Sequence, residues 1–145
     1  MQPVQSVAII GAGNMGSGIA QKTAQEEFDV QMVDREAQWV ERGQSIIANF
    51  LSEAVERRIF SPKQVEAIQN RITGVVGTEN THPKTDLVIE AVFEDFDIKT
   101  EVFNILNNVC EEHTILASNT SSLSVDELAK ASGREDRFVG LHFFY

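Results

Sequence analysis

Six short segments rich in apolar residues punctuate the chain, at Val7–Ile10, Asp29–Asp34, Ile72–Val76, Asp86–Val92, Thr114–Ser118 and Arg137–Leu141. Several are nearly continuous in apolar side chains, as strands covered on both faces are. Between them the apolar positions recur every three or four residues, the spacing of a helix with one buried face. The first helix is expected to run to about Glu26, with Ile19, Thr23 and Phe28 toward the sheet. A long amphipathic helix from Glu36 to Ile59 would pack through Trp39, Val40, Ile46, Ile47, Phe50, Leu51, Val55 and Ile59. Ser61-Pro62-Lys63-Gln64 has the form of a capping box with proline at the first helical position, which predicts a short helix to about Asn70. These two helices form a hairpin that fills the connection between the second and third strands. After a polar loop from Gly77 to Thr85, the next helical face is Ile98, Val102, Phe103, Ile105, Leu106 and Val109. Ser124-Val125-Asp126-Glu127 opens a last helix with a second capping box. Strands and helices alternating in this way predict an α/β fold, a doubly wound parallel sheet with a helical insertion after strand two. No repeat, linker or composition shift marks a boundary, so residues 1–145 are expected to form one domain.

The first strand ends abruptly in Gly11-Ala12-Gly13-Asn14-Met15-Gly16, and helical spacing begins at once. This is the G-x-G-x-x-G spacing of dinucleotide-binding Rossmann domains. Gly11 can take the angles of the tight turn, Gly13 leaves no Cβ between the main chain and a pyrophosphate, and Gly16 lets the helix lie close to the strand. The helix then aims its first N–H groups and positive dipole end at the phosphates. Asn14 and Met15 belong to the same cofactor-binding turn. Alone the pattern is weak, because ordinary glycine-bearing loops produce it too. Asp34 adds context. It ends the second strand 18 residues after Gly16, near the spacing of about 20 expected for the carboxylate that holds an adenine ribose. Its other reading is a cap on the following helix. A carboxylate here repels a 2′-phosphate and favours NAD over NADP, while Arg35 beside it works against that preference.

A chain of 145 residues has room for one sizeable core and not for a second. The net charge of −10 comes without any basic run that could track a nucleic-acid backbone or an anionic membrane. Nucleic acid and membrane are therefore not expected as partners. Met1–Gln5 lacks a basic flank, and the apolar stretch that follows is short and broken by glycine, so a cytoplasmic chain is the default. Cys110 is the sole cysteine and fits a small buried position better than a redox role.

Ligands of such sheets bind outside the carboxyl ends of the strands. Those ends carry the glycine turn and Asp34, then Ala91 to Glu94, then Ser118-Asn119-Thr120-Ser121-Ser122, then His142. An imidazole at the last position could take a hydroxyl proton as a hydride leaves the same carbon, since the unperturbed pKa of a histidine side chain is near working pH. It could equally sit in an aromatic cluster with Phe143, Phe144 and Tyr145. Ser121 and Ser122 could bind a substrate oxygen or simply satisfy their loop. Glu94 and Lys99 look like ordinary surface charges, and His82 and His113 like solvated loop histidines. No spacing of histidines or carboxylates suggests a metal.

Four of these stretches, taken together, resemble the NAD-binding domain of L-3-hydroxyacyl-CoA dehydrogenases. They are Val7–Ala20, Asp86–Asp95, Ala117–Leu123 and Gly140-Leu141-His142-Phe143-Phe144, and the likeness extends over nearly the whole chain. The resemblance implies oxidation of the 3-hydroxyl of an acyl-CoA with NAD as acceptor. It implies His142 as general base and Ser121 as the serine that binds the reacting oxygen. Asn119 would line the nicotinamide end, Asp34 would hold the ribose, and Ala91, Glu94 and Lys99 would lie by the cofactor. The family continues past the two phenylalanines with asparagine and proline, where this sequence has Tyr145 and stops. Its members also carry a helical C-terminal domain that supplies the glutamate orienting the histidine and most of a dimer interface. The expectation is a chain that holds NAD better than it turns over substrate, paired with such a helical domain or a second copy. A non-catalytic NAD-binding module and a sugar-acid dehydrogenase are the alternatives.

Overall fold

The computed structural model describes residues 3–144. Six parallel strands form one sheet in the order β3-β2-β1-β4-β5-β6, with β1 Ser6–Ile10, β2 Asp29–Asp34, β3 Ile72–Val76, β4 Leu87–Glu90, β5 Ile115–Ser118 and β6 Phe138–Gly140. The helices are α1 Asn14–Gln25, α2 Ala37–Glu56, α3 Pro62–Asn70, α4 Phe96–Val109 and α5 Val125–Ser132. Single 3₁₀ turns lie at Thr78–Asn80 and Glu135–Arg137. The order reverses at β1, which pairs with β2 on one side and β4 on the other. A doubly wound sheet opens its binding crevice at that reversal.

Period-two alternation divides the core. Val7 and Ile9 of β1 join Ile19, Ala20 and Ala24 of α1 and Ile47 and Leu51 of α2 on one face. Ala8 and Ile10 join Phe103, Leu106 and Leu128 from α4 and α5 on the other, and Cys110 is buried there. Register aligns Val75-Val33-Ile10-Glu90-Ser118-Gly140 in one row. β1, β4, β5 and β6 end on that row and β2 and β3 one residue beyond it, so the residues that follow leave the sheet at the same edge.

Several expected details change. β4 is four residues rather than seven; Oδ2 of Asp86 before it accepts the Gln5 and Ser6 amides, and past its end the Val92 amide turns to the Glu90 side chain. The buried stripe of α2 is Val40, Gly43, Ile47, Leu51 and Ala54. Trp39 and Phe50 fall beside that stripe and are exposed, and Ile59, also exposed, lies past the end of α2 at Glu56. Ile98 is exposed as well, since Lys99 takes the inward position in the first turns of α4. The Ser61–Gln64 capping box forms in full, and at α5 the Ser124 hydroxyl accepts the Glu127 amide. Sequence reading passed over two caps. Asp95 caps α4, and the buried Arg134 donates to the carbonyls of Asn107, Cys110 and Glu111 at that helix's other end.

Candidate functional site

The crevice edge is built first by the glycine turn. Gly11 has φ +110°, and a Cβ there would lie 2.6 Å from the Ala91 carbonyl oxygen. A Cβ on Gly16 would lie 1.8 Å from the Gly11 carbonyl oxygen, so β1 and α1 touch through bare backbone. Gly13 differs: among the described residues nothing stands within 4 Å of where its Cβ would be. Its open face at the N-terminus of α1 is the feature a diphosphate needs. Asp34 is not a helix cap, since α2 starts after Glu36. Its Oδ2 accepts the Ala12 amide at 2.8 Å and its Oδ1 the Arg35 amide at 2.7 Å. This ties the turn to β2 and leaves each oxygen a lone pair for a ribose hydroxyl. The Arg35 guanidinium lies 3.8 Å from the Glu36 carboxylate. The residues present therefore fit a dinucleotide, with diphosphate at Gly13 and ribose at Asp34.

The other half of the edge is a chain of charges. Glu90, fully buried, accepts from the Ser118 hydroxyl, the Val92 amide and the Lys99 ammonium. Lys99 is 2% exposed and also donates to the Val92 carbonyl. It is not a surface charge, because burial places it behind the segment 91–94. Lys99 meets the edge through Glu94, 3.7 Å away. Glu94 accepts from the Thr120 hydroxyl at 2.6 Å, the Ser121 amide at 3.0 Å and the Ser121 hydroxyl at 3.1 Å. Burial alone would push the Glu94 carboxyl up. The Ser121 amide, the Thr120 hydroxyl, the Lys99 ammonium and the Ser121 hydroxyl together outweigh it and hold the group below its ordinary range.

His142 lies two residues past β6 and is exposed. Its Nδ1 is 3.1 Å from the carbonyl oxygen of Asn119. A carbonyl only accepts, so Nδ1 carries the proton and Nε2 keeps its lone pair. The Asn119 side-chain oxygen accepts the Phe143 amide at 2.7 Å, so this one residue holds both 142 and 143. The ring also stands edge-on to Phe144, at 4.7 Å between centroids. The aromatic contact and the base-ready tautomer thus coexist, and Tyr145 lies outside the described residues. Loop satisfaction falls to Thr120, whose hydroxyl accepts the Leu123 amide. Ser121 instead engages Glu94.

The remaining histidines are elsewhere. His82 Nδ1 accepts the Lys84 amide, and His113, half-buried rather than solvated, has Nε2 3.4 Å from Asp86 at the start of β4. Among the described residues no group of three His, Cys, Asp or Glu side chains is placed to hold a metal ion, and no helix is long and apolar enough to cross a membrane.

Comparison with known proteins decides the family. Residues 6–145 match the family described as 3-hydroxyacyl-CoA dehydrogenase, NAD binding domain. This chain belongs to that family. It is 39% identical over 140 residues to a probable 3-hydroxybutyryl-CoA dehydrogenase of Bacillus subtilis, covering 97% of this chain and 48% of that protein. It is 38% identical over 146 residues to the mitochondrial hydroxyacyl-coenzyme A dehydrogenase of Sus scrofa, covering 97% and 46%. The crystal structure of (S)-3-hydroxybutyryl-CoA dehydrogenase PaaH1 from Ralstonia eutropha superposes with a TM-score of 0.93 at 36% identity, covering 98% of this chain and 50% of that one. The chain spans about half the length of the curated relatives it matches. NAD is the cofactor of the family's domain, in agreement with the open glycine face and the Asp34 carboxylate. Two working residues escaped the sequence reading. Glu90 was hidden in an apolar run, where an acid at a strand's last position was the available signal, and Thr120 stood in the polar strand-end run without being singled out.

Proposed function

We propose that this chain is the cofactor-binding half of an NAD-dependent dehydrogenase that oxidises the 3-hydroxyl of (S)-3-hydroxyacyl-CoA to the 3-ketone, in cytoplasmic fatty acid metabolism. The observation that carries the reading is the contact of His142 Nδ1 with the Asn119 carbonyl oxygen at 3.1 Å: a carbonyl only accepts, so the proton belongs on Nδ1 and Nε2 can accept at the edge that also carries the dinucleotide turn. His142 takes the alcohol proton at Nε2 and becomes imidazolium. Ser121 binds the reacting oxygen. As that oxygen becomes a carbonyl it needs a donor, so the Ser121 hydroxyl must turn its proton from Glu94 to the ligand. NAD, when bound, accepts the hydride that leaves carbon 3. The substrate and the helical C-terminal half or second copy that completes the site are part of the proposal, supported by the coverage of about half of each relative.

The test is to titrate NADH into the chain and to follow its oxidation by acetoacetyl-CoA with and without a relative's helical half supplied. Binding by the chain alone, with turnover only after the helical half is added, is the expected result. His142→Ala should abolish that turnover while leaving NADH affinity within about threefold, because the imidazole is assigned to the substrate rather than to the dinucleotide. Full turnover by the lone chain, or unchanged turnover by His142→Ala, contradicts the proposal.

A further inference from the structure

The end of β2 carries two groups with opposite preferences for the cofactor. Asp34 repels a 2′-phosphate, whereas Arg35 beside it is the kind of residue that binds one. A guanidinium takes a phosphate through its fork of N–H donors, so an arginine next to the ribose acid is a latent NADP site unless those donors are engaged. Glu36 bears on that question. It stands at the N-cap position of α2, yet among the described residues its carboxylate makes no cap bond to the helix. Its Oε2 instead accepts from the Gln38 side-chain amide at 2.6 Å, and its Oε1 lies 3.8 Å from Nε of Arg35. Gln38 belongs to the first turn of α2, so the helix steadies the carboxylate that faces Arg35. The Arg35 backbone is fixed as well, because its amide donates to Asp34 Oδ1 at 2.7 Å. The Arg35 and Glu36 side chains are 80% and 50% exposed. An ion pair this exposed adds little to the stability of the fold. It stands, however, directly after the carboxylate that faces the ribose, where a dianionic 2′-phosphate would have to be accommodated.

We propose that Glu36 is a specificity-determining residue for the cofactor: its carboxylate, steadied by Gln38, engages the Arg35 guanidinium, so that refusal of a 2′-phosphate comes from Glu36 together with Asp34 and not from Asp34 alone. The proposal rests on the cofactor reading above. The chain's remaining capacity for NADP resides in Arg35, and Glu36 holds it in check.

The experiment compares the wild-type chain with Glu36→Gln, Arg35→Gln and the double variant. NADH is bound first and then displaced by NAD⁺ or by NADP⁺, with NADH fluorescence as the readout and the thermal midpoint measured on the same samples. Glu36→Gln should keep its midpoint and hold NAD⁺ affinity within about twofold of wild type. Its NADP⁺ affinity should rise about three- to fivefold, the upper range for releasing one partner of an exposed ion pair. In the Arg35→Gln background the same substitution should change NADP⁺ affinity by less than about twofold, because no guanidinium is there to be released. An NADP⁺ affinity left unchanged by Glu36→Gln overturns the proposal. A gain of equal size in the Arg35→Gln background overturns it too, since the gain then reflects only one acid fewer near a phosphate. An equal rise in NAD⁺ affinity does the same, because selectivity has not moved. A folded wild-type chain that binds no NADH overturns this inference and the cofactor reading together, whereas NADH binding with unaltered selectivity in Glu36→Gln overturns this inference alone.

Discussion

Gly13 and Gly16 belong to one motif, yet the structure gives them different work, and a methyl group on each should separate binding from folding. Gly13 has φ −73° and ψ −166°, angles that any residue adopts, with open space where its Cβ would stand. Alanine there should stabilise the fold by about 0.4–1 kcal/mol through the unfolded chain, a rise of about 1–4 °C for a domain of this size. The same methyl occupies the ground where a diphosphate must approach the backbone. Losing one charge-assisted hydrogen bond costs about 1.5–3 kcal/mol, so NADH affinity should fall about tenfold to a hundredfold. Gly16→Ala reverses the pattern. Its helix propensity gain of about 1 kcal/mol is opposed by a Cβ 1.8 Å from the Gly11 carbonyl oxygen. That oxygen is backbone and cannot rotate away, so α1 must lift from β1, an overpacking cost of about 1–3 kcal/mol or more. Thermal denaturation and NADH fluorescence titration of both variants make the comparison. Gly13→Ala binding as tightly as wild type, or melting well below it, would refute the reasoning.

Three further outcomes follow from other parts of the structure. Asp34→Ala removes the carboxylate that faces the ribose and leaves the Ala12 amide without its partner, so NADH affinity should drop at least about tenfold. Parallel titrations should show NADPH discriminated less in this variant than in wild type. Arg134→Met strips the end of α4 of the guanidinium that satisfies three backbone carbonyls, and urea denaturation should show a loss of about 2–4 kcal/mol. Asp86 is held below the usual carboxylate range by the Ser6 and Gln5 amides, against the opposing push of burial, with the Ser6 hydroxyl and His113 assisting. Its contribution is therefore present above the unfolded value near 3.8 and lost as pH falls through the lower folded value, so Asp86→Asn should flatten the acid limb of the stability profile.

Much of the fold was legible because strands covered on both faces must be apolar and end in turns, and β2, α3 and β3 fell where their patterns put them. The details that changed depended on partners distant in sequence. Periodicity cannot separate two adjacent apolar stripes on α2, so Phe50 and Trp39 were placed inward alongside Val40, Ile47 and Leu51, which are the ones that are buried. It also treats a lysine as a surface residue, whereas Lys99 is buried because Glu90, nine residues earlier, lies at the end of the neighbouring strand. At the site, residue types and strand ends pointed to the glycine turn, Asp34, Ser121 and His142. They did not reveal that Asn119 works through its backbone carbonyl, an atom every residue carries and no sequence pattern distinguishes.

The central claim is that this edge of the sheet holds a dinucleotide, and isothermal titration of NADH into the folded 145-residue chain tests it most directly. The account predicts saturable heat from one site per chain, greatly weakened in Gly13→Ala while that variant remains folded. Folded wild-type protein that gives no binding heat, or heat of equal affinity in Gly13→Ala, would contradict it.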